Sequence, residues 1–397
     1  MSFSYNRTES ADAEAKPAAT AARRKILHIG KYYPPHPGGI ETHLEALCRS
    51  LQPWFDCEVL VANDTRRTRV ETLDGIPVKR LAAWFSLAGA PACPGMVREI
   101  AESRADLVHI QWPNPAAFLA YLVSGHRGPL VVSWQSDVVR QRFLNVLFAP
   151  VAKAVLRRAD CIVASSPNYA ATSSILRGFA DRVRVVPIAI SIDRFRRLDS
   201  ARIARIRERY GPRIVLAVGR LVYYKGFEYL VRAARRIDCS ILIVGEGPLR
   251  HRLESEIRSH RVSDRVHLLG EVDDIVSLYQ ACEVFVLPSI ARSEAFGIVQ
   301  LEAMACGKPV VNTRLDTGVT YVSPDGISGI TVAPRDEEAL AGAINRLLAD
   351  RRMRERYGQA GLRRVQTEFS LDLVAGRMRE LYEEVLISTT APKPAVL

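Results

Sequence analysis

No stretch of this 397-residue sequence is long and apolar enough to span a bilayer. The longest apolar runs, such as "IVLAV" at 214–218 and "VFVLP" at 284–288, have strand length, against the roughly 20 residues a spanning helix needs. The first 22 residues lack both the apolar core and the cleavage pattern of a secretory signal, and read as a flexible tail. These absences lead to an expected cytosolic location. Paired cysteines are missing too: there are seven, an odd number, with no C-x-x-C and most inside apolar segments. They read as reduced core residues, and because neither Cys nor His clusters at ligand spacing, no metal site is expected. There is no G-x-G-x-x-G, so a dinucleotide site finds little support.

What is present is a soluble chain, 48% hydrophobic and 25% charged, too long for one ordinary core. From Lys25 onward, short apolar runs alternate with helical patterns: 26–30, 59–62, 107–111, 130–134, 161–166 and 183–188. That is the rhythm of a parallel sheet with helices packed on it. The clearest helix covers 38–51, where Ile40, Leu44, Leu47 and Leu51 share a face. A charged stretch at 191–212, ending in Gly211-Pro212, reads as an interdomain connection with a short helix in it, and the alternation restarts at 214–219, 240–245, 266–270, 284–289 and 309–312. The segmentation is therefore a tail (1–22), a first α/β domain (23–195), a linker (196–212), a second α/β domain (213–370) and a last helix (371–388). Both domains are expected to turn their strand carboxyl ends to a shared cleft, where open α/β sheets bind ligands. Charge is uneven, with 24 Lys/Arg against 15 Asp/Glu in residues 23–200. Such an excess favours an anionic partner, a phosphorylated acceptor or an acidic membrane surface, though any single cluster such as "RRTR" at 66–69 reads first as a solvated surface.

Three constellations can carry chemistry. In "YYPPHPGGIETHLEAL" (32–47), Gly38 and Gly39 let backbone come close to a ligand at a helix amino end, although a plain strand-to-helix turn has the same composition. In "VGRLVYYKGFEYL" (218–230), Arg220 leaves a strand and Lys225 opens a helix five residues on, a pair of cations suited to a diphosphate. In "SEAFGIVQLEAMACGKPVV" (293–311), Glu294 and Glu302 stand eight positions apart. Glu294 alone fits an ordinary first-turn acid. Glu302 is a carboxylate among apolar neighbours, costly to bury unless it has a partner such as a ribose diol. A fourth segment, "VVSWQSDVVRQ" (131–141), ends a buried strand in Gln135 and Asp137 with no titrating histidine.

At these residues the chain resembles the retaining nucleotide-sugar glycosyltransferases of GT-B fold in glycosyltransferase family 4, over about residues 25–388. The most specific part is the E-x7-E spacing of Glu294 and Glu302; "GGIE" at 38–41, "VGR" with Lys225-Gly226, and "VGEGP" at 244–248 support it in order. The resemblance implies an α/β architecture of two Rossmann-like, doubly wound parallel-sheet domains facing a central cleft. It further implies that Arg220 and Lys225 hold the donor diphosphate, Glu302 the ribose hydroxyls and Glu294 those of the transferred sugar. Phe296, Gly297 and Ile298 would face the donor, Glu246, Glu271 and Val272 would frame the base, and Gly38 and Gly39 would approach the diphosphate from the other domain. The last helix would cross back onto the first domain. No cofactor is implied, the nucleoside diphosphate sugar being a co-substrate, and the absence of any D-x-D triplet argues against metal-dependent transfer.

The resemblance breaks at two places. Gln135 and Gln111 occupy positions where the family usually has histidine, and glutamine hydrogen-bonds without becoming a cation. Gln135 is assigned near the reacting sugar, with Asp137 and Gln111 on the acceptor side. The reading is a hexosyltransferase of surface polysaccharide or lipopolysaccharide synthesis using GDP-mannose, with a glycan or lipid-linked acceptor, no nucleic-acid partner and peripheral contact with an acidic membrane. Two alternatives stay open: a catalytically weakened nucleotide-sugar-binding homologue, and a sugar-nucleotide epimerase.

Overall fold

The computed structural model describes residues 23–36, 38–87, 90–136 and 142–390. Ten strands lie in the first half: β1 (Arg24–Ile29), β2 (Phe55–Ala62), β3 (Arg69–Leu73), β4 (Ile76–Leu81), β5 (Phe85–Leu87), β6 (Ala90–Ala92), β7 (Leu107–Trp112), β8 (Leu130–Trp134), β9 (Cys161–Ala164) and β10 (Val183–Val185). Eight form one sheet in the order β10-β9-β8-β7-β1-β2-β4-β3, parallel except for the β3–β4 hairpin at its edge. The order runs outward from β1 in both directions, which is the doubly wound pattern and puts a switch point at its carboxyl end. β7, β8 and β9 are buried along their whole length, as strands covered by helices on both faces must be.

The second half repeats the plan. β11 (Ile214–Val218), β12 (Ser240–Val244), β13 (Val266–Gly270), β14 (Val284–Leu287), β15 (Val310–Thr313) and β16 (Gly329–Val332) form a wholly parallel sheet in the order β13-β12-β11-β14-β15-β16. The two α/β units expected from the alternation are therefore present, with the Rossmann-like winding that the resemblance implied. The β3–β4 and β5–β6 hairpins were not anticipated, because short strands rich in charge or proline carry no apolar run, and neither was β16, whose "GITV" is only four residues long.

The stretch read as a connection carries the short helix expected in it. Its helix, Ser200–Tyr210, is capped by the Asp199 side chain and held to the second domain by the Arg202–Asp274 pair at 3.2 Å. The last three helices of the described residues are Glu337–Ala349, Arg351–Glu368 and Leu371–Thr390. The last packs not on its own domain but on the first: Val374, Met378, Leu381, Tyr382 and Val385 share a buried cluster with Leu44, Leu47, Cys48, Val59 and Val131. All seven cysteines are free, five of them buried.

Candidate active site

Loop geometry at the carboxyl edge of the second sheet is set by glycines in places where no other residue fits. After β11 the chain turns at Gly219 and runs through a short turn, Tyr223–Lys225, to Gly226, which is left-handed with φ 66°. A Cβ at Gly226 would lie 2.1 Å from the Pro288 carbonyl. Glycine there lets the β11 loop lie directly on the β14 loop, and the contact aims Lys225 at Glu294.

That pair is the centre of the site. Lys225 Nζ and a Glu294 carboxylate oxygen are 2.7 Å apart, and the residues retain only 8% and 7% exposure. Ser289 Oγ donates to the same carboxylate at 2.9 Å. Burial opposes the charge on Lys225, but Glu294, followed by Tyr224 and the more distant Glu302, outweighs it and raises the lysine pKa. The two residues expected to contact different parts of a donor thus hold each other in place.

Glu302 differs from its expected setting. It is partly exposed, and its enclosure comes from Tyr279, whose phenol donates to Oε2 at 2.6 Å. Desolvation pushes the Glu302 pKa up, against the Tyr279 hydrogen bond, Arg194 and Lys225. It is Glu294, the acid that looked ordinary in sequence, that is the more deeply buried. Tyr279 was missed, and no signal in "LYQAC" (278–282) marks it as anything but core.

Ile298–Ala305 is the helix that carries Glu302, and it starts from left-handed Gly297 (φ 79°). Gln300, wholly buried, braces this amino end by donating to the Val319 carbonyl at 3.2 Å and accepting from Asn312 at 2.9 Å. Phe296 packs inward against Phe369, so its backbone rather than its ring is available to a ligand. Glu246 pairs with Arg250, while its carbonyl accepts from the Leu221 amide at 2.9 Å and ties the β12 loop to the Arg220 loop. Glu271 is exposed and Val272 half-buried at the end of β13. Arg220 is exposed and has no carboxylate partner among the described residues.

The first domain closes on this edge at two points. Gly39 comes so near Ile298 that a Cβ would meet its Cδ1 at 3.1 Å, and Gly318 lies against Ser166, with 3.1 Å from a Cβ to Oγ. Gly38, at φ 166°, is extended and does not need to be glycine for its backbone angle. Lys31, at the end of β1, was not anticipated either. Its pKa is lowered, first by burial and then, beyond an opposing pull from Glu41, by repulsion from Arg220. A cation from the first domain therefore faces Arg220 from across the cleft. Its signal in sequence, a lysine just after a strand-ending glycine, is too common to single out.

Gln111 and Gln135 end β7 and β8, strands that lie in the sheet between β1, which leads to Gly39, and β9, which leads to Ser166. Both are buried, at 2% and 6% exposure, and Gln135 Nε2 donates to Gln111 Oε1 at 2.7 Å. Asp137 lies outside the described residues. A separate cavity of about 370 Å³ at the opposite, amino edge of the second sheet is lined by Lys308, Arg351 and Arg354. These cations are paired internally, for example Arg354 with Glu283 at 3.0 Å and Arg351 with Glu355 at 2.7 Å.

Cations at glycine-opened turns, two carboxylates eight residues apart and a closing second domain are the arrangement the resemblance implied. Comparison with known proteins agrees: residues 38–189 match the glycosyl transferase 4-like domain and residues 200–364 the glycosyl transferases group 1. The D-rhamnosyltransferase WbpZ of Pseudomonas aeruginosa is 34% identical over 84% of this chain and 89% of its own. The chain belongs to the family 4, group 1 glycosyltransferases. The O-antigen chain mannosyltransferase C of Escherichia coli is 31% identical, covering 92% of this chain and 99% of its own. Among solved structures, sucrose-phosphate synthase from Thermosynechococcus elongatus superposes with a TM-score of 0.80 at 26% identity, over 92% of this chain and 100% of its own. This glycosyltransferase is thus a GT-B enzyme of hexosyl transfer, and among its described residues no helix is long and apolar enough to cross a membrane.

Proposed function

We propose that this glycosyltransferase moves a hexose from GDP-mannose, with retention of anomeric configuration, to a glycan or lipid-linked acceptor of a surface polysaccharide. The observation that carries the proposal is the buried Lys225–Glu294 pair beside the exposed Arg220 and the Lys31 that repels it. When the bond from the anomeric carbon to the phosphate oxygen breaks, its electrons go to the diphosphate. Fixed cations stabilise the charge that develops there without reorganising at that moment. The acceptor hydroxyl bonds to the anomeric carbon on the same face, and its proton passes to an oxygen of the departing phosphate. No protein nucleophile or metal takes part. Glu294, held by Lys225 and Ser289, accepts from the sugar hydroxyls, and Glu302 from the ribose.

The names of the two curated relatives support a hexosyl donor and a polysaccharide acceptor. A thermal-shift panel of GDP-, UDP- and ADP-sugars tests the reading: GDP-mannose is expected to give the largest stabilisation. No shift with any of them would overturn it.

A lipid-linked acceptor also suits one surface of the first domain. Trp84 and Phe85 are 61% and 64% exposed, and the Ala83 amide donates to the Thr65 carbonyl at 3.0 Å, which sets them beside Arg66 and Arg67. Aromatic side chains next to arginines that have no carboxylate partner among the described residues match the interface of an anionic bilayer. The full-length protein is expected to sediment with vesicles containing phosphatidylglycerol and not with pure phosphatidylcholine. At about 1 kcal/mol per arginine, the double change Arg66→Glu and Arg67→Glu should weaken that binding by at least roughly tenfold.

A further inference from the structure

Behind the cleft, a line of buried side chains runs through the first domain from Gln135 to the last helix. Gln135 Nε2 donates to Gln111 Oε1 at 2.7 Å. Gln111 Nε2 lies 3.2 Å from His109 Nε2, which is also 2.8 Å from Ser133 Oγ. His109 Nδ1 is 2.5 Å from the phenol oxygen of Tyr382, on the helix Leu371–Thr390 that returns from the second domain. Every member is nearly or wholly enclosed. Water is thus shut out, and the groups must satisfy one another.

The line has a direction. An amide nitrogen can only donate, so the ring nitrogen that faces Gln111 Nε2 must accept. A neutral imidazole with an accepting Nε2 carries its proton on Nδ1 and gives it to Tyr382. Enclosure by apolar strands keeps His109 neutral, consistent with its strongly lowered pKa, for which burial is the first cause. Gln111 is then committed to offer Oε1 to Gln135, and Gln135 to spend its nitrogen on that bond. One atom is left over: Gln135 Oε1 is buried and without a partner among the described residues. It sits at the carboxyl edge of the sheet, between the two points where the second domain closes.

We propose that Gln135 accepts a hydrogen bond from a hydroxyl of the bound sugar through Oε1, and that Gln111, His109 and Tyr382 are positioning residues that fix its amide in that orientation. The proposal rests on the donor-site reading above and goes beyond it. A histidine at position 135 would meet the substrate in a protonation state set by pH, whereas the amide presents a neutral acceptor whose direction is set by a helix about 250 residues further along the chain. The crossing helix is therefore part of how the sugar is recognised.

The test is a pair of mutant cycles on the full-length protein, with whichever of GDP-mannose, UDP-glucose and ADP-glucose the wild type consumes. Turnover is measured well below the melting temperature of every variant, so that lost packing does not enter the rate. Gln135→Leu should lower kcat roughly tenfold while the Kd for the free nucleoside diphosphate changes by less than about twofold. Gln111→Leu and Tyr382→Phe should each lower kcat by roughly three- to tenfold in the wild-type background. In the Gln135→Leu background neither should lower it further, because the atom they orient is gone. Equal losses in both backgrounds, or no loss in the wild type, would overturn the inference and leave the donor site standing. A wild-type protein that consumes none of the three sugars would remove the donor reading and this inference with it.

Discussion

Lys225 and Glu294 are each nearly enclosed, and removing one leaves the other charged and unmatched in the interior. Breaking such a pair costs about 3–5 kcal/mol, so Lys225→Ala should lower the free energy of urea unfolding by about that amount and reduce donor turnover by roughly 100-fold or more. The pH dependence follows from the raised lysine pKa. A cation held above its unfolded value of 10.5 contributes its full stabilisation below pH 10.5 and loses it only as pH rises through the higher folded value. Glu302 has the opposite sign. Its folded pKa is raised above 4.5, so its ionised form is disfavoured by folding, and the penalty grows as pH rises from 4.5 through the folded value. Glu302→Gln should therefore raise Tm at pH 7, a gain that fades below pH 4.5, while donor turnover falls. At this scale the sequence was half legible. Motif spacing singled out both carboxylates and both cations of the second domain, because helix and loop positions there follow from local residue order. Which carboxylate is paired, and by what, depends on residues 69 positions away for Lys225 and 23 away for Tyr279, and no local pattern records such contacts.

At the level of single elements, glycines decide where the loops can lie. Gly226 is required twice over, by its positive φ and by the Pro288 carbonyl beside it. A left-handed backbone costs a residue with Cβ about 1–2 kcal/mol before any clash is counted. Gly226→Ala should thus destabilise the protein by at least about 2 kcal/mol in urea and, by displacing Lys225, lower nucleotide affinity in the same samples. Unchanged affinity in a destabilised variant would mean that the loop aims Lys225 by other contacts. Helices and buried parallel strands were legible as elements because their apolar periodicity is dense. The β3–β4 and β5–β6 hairpins were not: "RVETL" alternates into solvent and β6 contains Pro91, so neither offers a continuous apolar face. The helix Ser200–Tyr210 was legible as a short helix in the charged connection, and although it buries no residue completely, Ile203, Ile206 and Tyr210 pack half-buried against the core of the second sheet beside the ion pair to Asp274.

For the whole molecule, the first domain has a built-in sensitivity to acid. His43 is buried with its pKa lowered to about 4, first by burial and then by His28, and His109 is lowered as well. A histidine whose folded pKa lies below its unfolded 6.5 binds fewer protons in the native state. Stability should accordingly fall as pH drops from 6.5 to about 4, and His43→Leu should flatten that slope in urea titrations followed by Trp fluorescence. The last helix bears on both domains. Met378→Ala removes a buried side chain shared by the helix and the first domain, and the expected loss of about 2–5 kcal/mol should appear in the first domain's unfolding. The two-domain plan could be read from the double run of α/β alternation, but the helix that returns looks in sequence like any other amphipathic C-terminal segment, and only the family resemblance suggested its path.

That return also sets the order in which the enzyme can mature on the ribosome. Strands β1 to β10 emerge first, yet the residues that cover the groove between Leu44, Val59 and Val131 are not made until Leu371 and beyond. At about 5–20 residues per second, the first domain waits roughly 10 to 40 s with that groove open. The second domain, whose sheet closes with β16 at Val332, has all its strands before the first domain has its last helix. A nascent chain stalled near the end of that interval holds the second sheet complete beside a first domain whose apolar seam along Leu44, Val59 and Val131 is still uncovered.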